Sequence, residues 1–170
     1  MSRRAAELKC LGLNDNAGVT TLLDSLIEKV KDGEEGFRTA AQDVDTKDLR
    51  DLFTSLSAER ASFVAELQGL AKSLGENQPE TEGSFVGTAH RGWIDLRAAV
   101  ATQNAKAILD ECERGEDSAV AAFGKALEGE LPSAVRVIVA NQFVKIQAAR
   151  KHIQDLRGKA KIAGDQQARW

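Results

Sequence analysis

The sequence predicts an all-α protein, a four-helix bundle, and three observations support this fold class. Ala, Leu, Glu, Lys, Arg and Gln are plentiful, whereas Tyr is absent and Pro occurs only 2 times, a composition that favours helices over strands. Apolar residues recur every three or four positions in four long segments. The chain has 170 residues, of which 42% are hydrophobic and 29% charged, so one domain can enclose a core.

The first two long segments are predicted to form a helical hairpin. The first helix runs from about Thr20 to Val44, and the second from about Thr46 to Leu74. Thr46 is suited to capping the start of the second helix, and Gly75 is a natural stop at its end. Because very few residues separate the two helices, they are expected to lie antiparallel.

The third and fourth long helices are predicted over about 104–128 and, with Pro132 in its first turn, over about 132–157. They should form a second hairpin. A short extra helix is predicted over about 85–101, within the roughly 30 residues that join the hairpins. One long crossover is the connectivity of a ferritin-like bundle. The expected domains are an N-terminal extension over 1–19, the bundle over 20–157, and a tail over 158–170 that has no apolar stripe and should fray.

Charge and composition argue against several classes of function. The net charge is −3 and Lys and Arg are not clustered, so no nucleic-acid partner is expected. No apolar run reaches the ~18 residues of a membrane span, and residues 1–15 lack the apolar region of a secretory signal. Cys10 and Cys112 are far apart and form no CxxC pair. A cytoplasmic protein with no membrane partner is therefore predicted.

One polar residue interrupts the apolar stripe of each long helix near its middle. In an antiparallel hairpin, residues that are equally far from the turn lie opposite each other. Counting from the two predicted turns places these four residues at similar heights in the bundle, so they could meet in one layer. A buried carboxylate must be paired, bound to metal or protonated. The first interpretation is a structural network centred on an arginine. Its members are Glu34, Arg60, Glu116 and Gln142.

The second interpretation of the same layer is a carboxylate metal site for iron or manganese. Bundle metal sites use a Glu from each of two helices and Glu-x-x-His from the other two. The fourth predicted helix lacks Glu-x-x-His, and an arginine in the layer competes with a divalent cation. A binding pocket for another small cation or polar ligand is a third alternative. The predicted metal ligands are Glu34, Glu66, Glu113, Glu116 and His90. Glu59 is the alternative to Glu66 on the second helix.

No motif in the sequence predicts a reaction. The segment DECERGED, residues 110–117, surrounds Cys112 with acids, which raise the pKa of a thiol and reduce its reactivity. Gly33, Gly36 and Gly115 flank the acids of the polar layer. Since glycine costs about 1 kcal/mol in a helix relative to alanine, these positions suggest close backbone approach or room for a bound group.

Three motifs, in this order, carry a resemblance to a known family: D-G-E-x-G-F at 32–37, H-R-G-W at 90–93 and E-C-E-R-G-E-D at 111–117. With these motifs the chain resembles an uncharacterised family of bacterial ferritin-like four-helix-bundle proteins, over about residues 20–157. The resemblance implies a helical bundle in a bacterial cytoplasm. It implies no established activity, and no catalytic residue is carried over from it.

Two functional hypotheses therefore remain open. In the first, the chain is a non-enzymatic helical protein that acts through a protein partner or through self-association as a homo-oligomer. In the second, it binds iron or manganese and works in metal handling or the oxidative-stress response. Arg60 discriminates between them, because a guanidinium that reaches the buried acids takes the place of a metal ion.

Overall fold

The computed structural model describes residues 16–75, Ala98 and residues 104–167, with side chains as far as Lys159 and that of Asp43 excepted. The described residues form four helices and no strand, which confirms the all-α prediction. They are α1 (Asn16–Asp43), α2 (Lys47–Ser73), α3 (Ala105–Glu128) and α4 (Ser133–Gln167). The predicted short helix over 85–101 lies outside the described residues, Ala98 aside.

The helix ends follow the local sequence. Gly75 adopts a φ of +97° just after α2, a conformation that glycine accepts without strain and that ends the helix as predicted. The Asn104 side chain accepts hydrogen bonds from the backbone N–H groups of Lys106 and Ala107, at 3.0 and 3.3 Å, and so caps α3. Pro132 lies immediately before α4 rather than in its first turn.

Two predicted boundaries are corrected by the structure. Helix α1 begins at Asn16, four residues before its predicted start at Thr20, and Val19 is buried in the core. Helix α4 continues to Gln167, ten residues beyond the predicted end, where a frayed tail was expected. Lys, Ala and Gln favour helix, and no proline follows Pro132, so the backbone stays helical without an apolar stripe.

Two core clusters show the directions of the helices. One cluster joins the N-terminal half of α1 to the C-terminal halves of α2 and α3 and the N-terminal half of α4. The other joins the opposite halves of the same helices. Helices α2 and α3 therefore run parallel to each other and antiparallel to α1 and α4. Because α2 ends at one end of the bundle and α3 begins at the other, the connection between them spans the bundle's length.

Each helix packs against two others. Helix α1 contacts α2 and α3, and α4 contacts the same two helices. Helices α2 and α3 thus lie on one diagonal of the bundle, and α1 and α4 lie on the other. None of the described helices has a stretch both long and apolar enough to cross a membrane.

The two core clusters are separated by a gap near mid-bundle. On α2 the gap falls between Leu56 and Phe63, and on α3 it falls between Cys112 and Ala119. The buried polar residues in these two intervals include Arg60 and Glu116. The bundle centre is therefore polar, with apolar layers above and below it.

Candidate functional site

A buried ion pair lies at the centre of the bundle. Arg60 is 1% exposed and Glu116 is 2% exposed. The Arg60 Nη2 atom donates to both carboxylate oxygens of Glu116, at 3.0 and 2.8 Å. Its Nη1 atom donates to Glu59 Oε2 at 3.1 Å, and the Glu59 side chain is 30% exposed. The guanidinium thus binds one fully buried acid and one acid near the surface.

Aromatic rings enclose the same guanidinium. The Arg60 Cζ atom lies over the ring of Phe63, 5.1 Å from its centroid, and over the ring of Phe37 at 5.7 Å. Both rings are within the reach of a cation–π interaction. A Cβ atom added at Gly33 would lie 3.8 Å from the aliphatic stem of Arg60. The α1 backbone therefore approaches this side chain closely, as the glycine suggested.

Burial and charge act in opposite directions on Glu116. Burial has the larger effect and raises the pKa of this carboxyl, while Arg60 lowers it through its charge and its hydrogen bonds. The charges of Glu59 and Asp117 raise it further. Removing a charged partner from a buried pair is costly, because it leaves the other charge without compensation. Arg60 and Glu116 therefore depend on each other.

Glu113 belongs to a separate network at the α3–α4 edge. Its Oε1 atom accepts a hydrogen bond from Gln154 Nε2 at 2.8 Å. Its Oε2 atom lies 2.7 Å from Arg157 Nη1, but this contact lacks hydrogen-bond geometry, so the two groups interact as charges. Arg157 also lies 3.5 Å from Asp110. Glu113 is therefore neutralised from α4, not by Arg60.

Gln142 does not join the ion pair, and its predicted position in the same layer is corrected. Its Nε2 atom donates to Glu66 Oε2 at 2.8 Å and to the Phe63 carbonyl at 3.4 Å. Its Oε1 atom is buried and has no hydrogen-bond partner in the described part of the chain. The side chain thus links α4 to α2 at a different height from Arg60.

The register between α3 and α4 explains this difference. Asp117 pairs with Arg150, and Glu113 pairs with Gln154. Glu116 is therefore level with residues near Arg150, about two helical turns from Gln142. The prediction took Glu130 as the centre of the turn between α3 and α4 and counted equal numbers of residues on both sides. An error in the position of this centre is doubled in the residue that is expected opposite on α4, so the register of α3 against α4 was wrong.

Glu34 is the second residue of the predicted network that does not contact the Arg60–Glu116 pair. Its backbone carbonyl accepts a hydrogen bond from Ser57 Oγ at 3.0 Å. Its side chain is half-buried, and its carboxylate makes no ion pair or hydrogen bond with another described residue. Of the four residues predicted to form the network, the structure brings together Arg60 and Glu116.

The predicted metal ligands do not converge where they can be located. Glu116 pairs with Arg60, Glu113 with Gln154 and Arg157, and Glu66 with Gln142. Within residues 16–75 and 104–159, no three His, Cys, Asp or Glu side chains come together in a way that could hold a metal ion. His90 lies outside the described residues. Metal binding stays a prediction.

Cys112 is a buried free thiol next to this site. Burial is the main cause that raises the pKa of the thiol well above its usual range, and the charges of Glu116 and Glu111 add to it. A thiolate is the reactive form of cysteine. The environment therefore favours an inert core residue over a nucleophile.

Sequence reasoning missed the residues that surround Arg60. Phe63 follows Arg60 by one helical turn, and Phe37 follows Glu34 in the same way. Neither ring was predicted to contact the guanidinium, which both of them do. The available signal was this spacing, because residues three apart lie on one face of a helix. Glu59, the second acid bound by Arg60, is suggested by the sequence only as an alternative metal ligand, and nothing in the sequence predicts its pairing with Arg60.

Fold and site together define a class: a helical bundle with one long crossover, held at its centre by a buried arginine–glutamate pair. Residues 18–129 match the family model described as "Domain of unknown function (DUF2383)", and the chain belongs to this family. The matched span contains Arg60 and Glu116, and it ends before α4. No curated protein matches the chain.

Proposed function

We propose that this chain is a ferritin-like helical bundle without a catalytic centre of its own, which acts by association with a protein partner or with a second copy. The main support for this proposal is the ion pair between Arg60 and Glu116. Its Nη2 and Oε2 atoms are 2.8 Å apart, and both side chains are almost fully buried. A ferritin-like metal protein would hold a cation between carboxylates at the centre of its helices. Here a guanidinium supplies the positive charge at the bundle centre.

The topology supports the ferritin-like assignment. Adjacent helices run antiparallel, diagonal helices run parallel, and one connection spans the bundle. Such connectivity distinguishes ferritin-like bundles from simple up-down bundles, in which all loops are short. The free, unreactive Cys112 fits a reducing compartment such as the cytoplasm.

Chemistry at the site supports the non-enzymatic assignment. A catalytic acid or base needs access to a substrate, whereas Arg60 and Glu116 are both almost fully buried. Arginine stays protonated under all ordinary conditions, so it cannot exchange a proton at neutral pH. The pair is therefore suited to fixing helix positions rather than to moving protons.

Metal analysis tests this proposal against iron or manganese binding. The protein is purified without chelator or affinity metal, loaded with Fe(II) or Mn(II), desalted and analysed by elemental mass spectrometry. We expect metal far below one ion per chain. A Glu34→Ala/Glu116→Ala variant and a Glu128→Ala/Glu130→Ala variant, which removes two exposed acids, should retain equally little. Circular dichroism verifies that each variant is folded.

Near-stoichiometric metal would contradict the proposal if the Glu34/Glu116 variant lost it and the Glu128/Glu130 variant kept it. That result would establish metal handling as the function of the central layer. Substitution of His90 would then show whether this residue is a ligand.

A further inference from the structure

The middle of α1 has no side that is open to solvent. Every residue over 26–37 is buried or half-buried, although this stretch makes roughly three turns of helix. A helix at the surface of a globular protein buries one face and leaves the opposite face to solvent. The outer face of α4 follows this rule, since Val137 and Val144 are 59% and 63% exposed. Helix α1 is therefore covered on a side where α4 is open.

Two side chains mark the covered side of α1. Asp32 follows the buried Val30 by two residues. Thr39 follows the buried Phe37 in the same way. Two residues turn an α-helix by roughly 200°, so Asp32 and Thr39 point away from the bundle core. Thr39 is nevertheless only 9% exposed. Burial is also the main cause that raises the pKa of the Asp32 carboxyl, against the opposing charge of Lys29.

The described helices do not account for this cover. Among them, α1 contacts α2 and α3, which pack on its core-facing side. The connection over 76–103 leaves α2 at one end of the bundle and enters α3 at the other. Because α1 and α4 each lie between α2 and α3, the connection has one route along α1 and another along α4. The exposed valines of α4 favour the route along α1.

The sequence of the connection suits this route. Its predicted helix over 85–101 has an apolar stripe that includes Trp93 and needs a surface to pack against. A connection along α1 runs in the same direction as that helix. H-R-G-W at 90–93 lies just past the middle of the connection, and D-G-E-x-G-F at 32–37 lies just past the middle of α1. The two motifs are thus expected at the same height, where the bases of the first meet the acids of the second.

We propose that the connection over 76–103 packs along the outer face of α1, with Trp93 over Gly36 and Thr39. Gly36 is half-buried, and these two small residues leave room for an indole ring. The contact gives D-G-E-x-G-F and H-R-G-W a common role, which is to fix the crossover on the bundle. The proposal goes beyond the proposed function and does not rest on it, because the central ion pair takes no part in the contact.

Quenching of a bimane label by tryptophan, which requires close approach of the two groups, tests the route in the full chain. Cys10→Ser and Cys112→Ser remove the natural thiols, and Trp170→Phe leaves Trp93 as the single tryptophan. Residues 1–15 contain no tryptophan. Quenching that depends on Trp93 therefore identifies the connection, and not the N-terminal residues, as the cover.

The label is placed at one of two exposed positions. Gln42→Cys lies one helical turn beyond Thr39 on α1, and Val144→Cys lies on the outer face of α4. Relative to the same chain with Trp93→Phe, the label at position 42 should lose most of its fluorescence, and the label at position 144 should lose none. Circular dichroism verifies the fold of each chain. Absence of quenching at position 42 would overturn the proposal, and so would quenching at position 144, which would place the connection over α4.

Limited trypsin digestion gives a second readout with a matched pair of variants. Thr39→Glu places a charge beneath the connection and should release it. Cleavage after Arg91 and Arg97 should then be at least about tenfold faster than in the wild type, because protease attack follows local opening. Val144→Glu introduces the same charge on the open face of α4 and should leave the rate unchanged. Thermal unfolding confirms that both variants are folded. Equal rates in all three chains, or faster cleavage in Val144→Glu alone, would contradict the proposal.

Discussion

The Nη2 atom of Arg60 donates to both carboxylate oxygens of Glu116, at 3.0 and 2.8 Å, across a diagonal of the bundle. Their helices, α2 and α3, pack against α1 and α4 and not against each other. The ion pair is therefore a direct link between the two hairpins. The rings of Phe37 and Phe63 also lie within cation–π distance of the Arg60 guanidinium, so aromatic contacts add to the ion pair at the bundle centre.

Removal of Arg60 should make stability depend more strongly on pH. Burial raises the pKa of Glu116, and Arg60 is the largest cause acting to lower it. In the Arg60→Met variant, the pKa of Glu116 in the folded state should therefore rise further. A carboxyl whose pKa is raised by folding contributes stability that is present below its usual value near 4.5 and is lost as the pH rises through the folded-state pKa.

Urea denaturation from acidic to neutral pH measures this effect. Relative to the wild type, Arg60→Met should lose free energy of unfolding progressively as the pH rises above about 4.5. Lys72→Met, which removes an exposed base, should show no such trend. A pH-independent difference between Arg60→Met and the wild type would show that Arg60 does not act on the ionisation of Glu116.

Cys112 should resist thiol reagents until the protein unfolds. Its side chain is buried and burial raises the pKa of the thiol. In a Cys10→Ser background, Cys112 is the single cysteine. Its reaction with a disulfide reagent should be at least about a hundredfold slower in the native protein than in denaturant, because labelling then requires opening of the bundle. Rapid native labelling would show that Cys112 is accessible.

Gly115→Ala should stabilise the protein by about 1 kcal/mol, since alanine is the better helix former. A Cβ atom added at Gly115 would meet nothing within 4 Å, and the same is true of Gly69 in α2. Gly69→Ala is therefore the matched control and should give a similar gain in thermal denaturation. A loss of stability in Gly115→Ala alone would reveal a close neighbour at that position.

Gln142→Met should also stabilise the protein, by about 1 kcal/mol, because an unsatisfied buried acceptor costs about 1–3 kcal/mol. The buried Oε1 atom of Gln142 has no partner in the described part of the chain. The free energy gained by removing the unsatisfied Oε1 atom should exceed the free energy lost with the hydrogen bond from Gln142 to the exposed Glu66. Gln42→Met, at an exposed site on α1, should change the free energy of unfolding by less than about 0.5 kcal/mol. Destabilisation of Gln142→Met would indicate a partner for Oε1.

Helical periodicity was sufficient to predict all four described helices, because each presents an apolar stripe to the interior of the bundle. Loop lengths also predicted the two hairpins. The long connection between α2 and α3 predicted the crossover, and the positions of Gly75 and Asn104 at opposite ends of the bundle agree with it. The capping of α3 by Asn104 and the stop at Gly75 are local effects that sequence encodes directly. The extra length of α4 was missed because a helix without an apolar stripe gives no periodic signal.

The site was less predictable, because it depends on register and on side-chain direction. The centre of the short turn between α1 and α2 lies close to the predicted position. The residues of α2 that lie opposite Glu34 were therefore predicted well, as the hydrogen bond from Ser57 to the Glu34 carbonyl shows. The register of α3 against α4 is displaced, and Gln142 consequently bonds with Glu66 rather than with the ion pair. Polar interruptions alone do not show which acid an arginine selects, and Glu34 and Glu116 gave equal signals in the sequence.

A double-mutant cycle on Arg60 and Glu116 tests the central claim most directly. Free energies of unfolding are measured at neutral pH for the wild type, Arg60→Met, Glu116→Leu and the double variant. Glu116→Leu leaves a buried guanidinium and should cost about 3–5 kcal/mol, whereas the double variant should lie within about 1–2 kcal/mol of the wild type. The two single-variant costs together exceed the cost of the double variant, so the expected coupling energy is at least about 3 kcal/mol.

The exposed Lys106–Asp110 pair, at 2.7 Å, provides the control cycle and should give a coupling below about 1 kcal/mol. A large coupling between Arg60 and Glu116 supports an ion pair that fixes the bundle centre. A coupling no greater than that of the control pair would contradict it, because each residue would then contribute to the fold without the other.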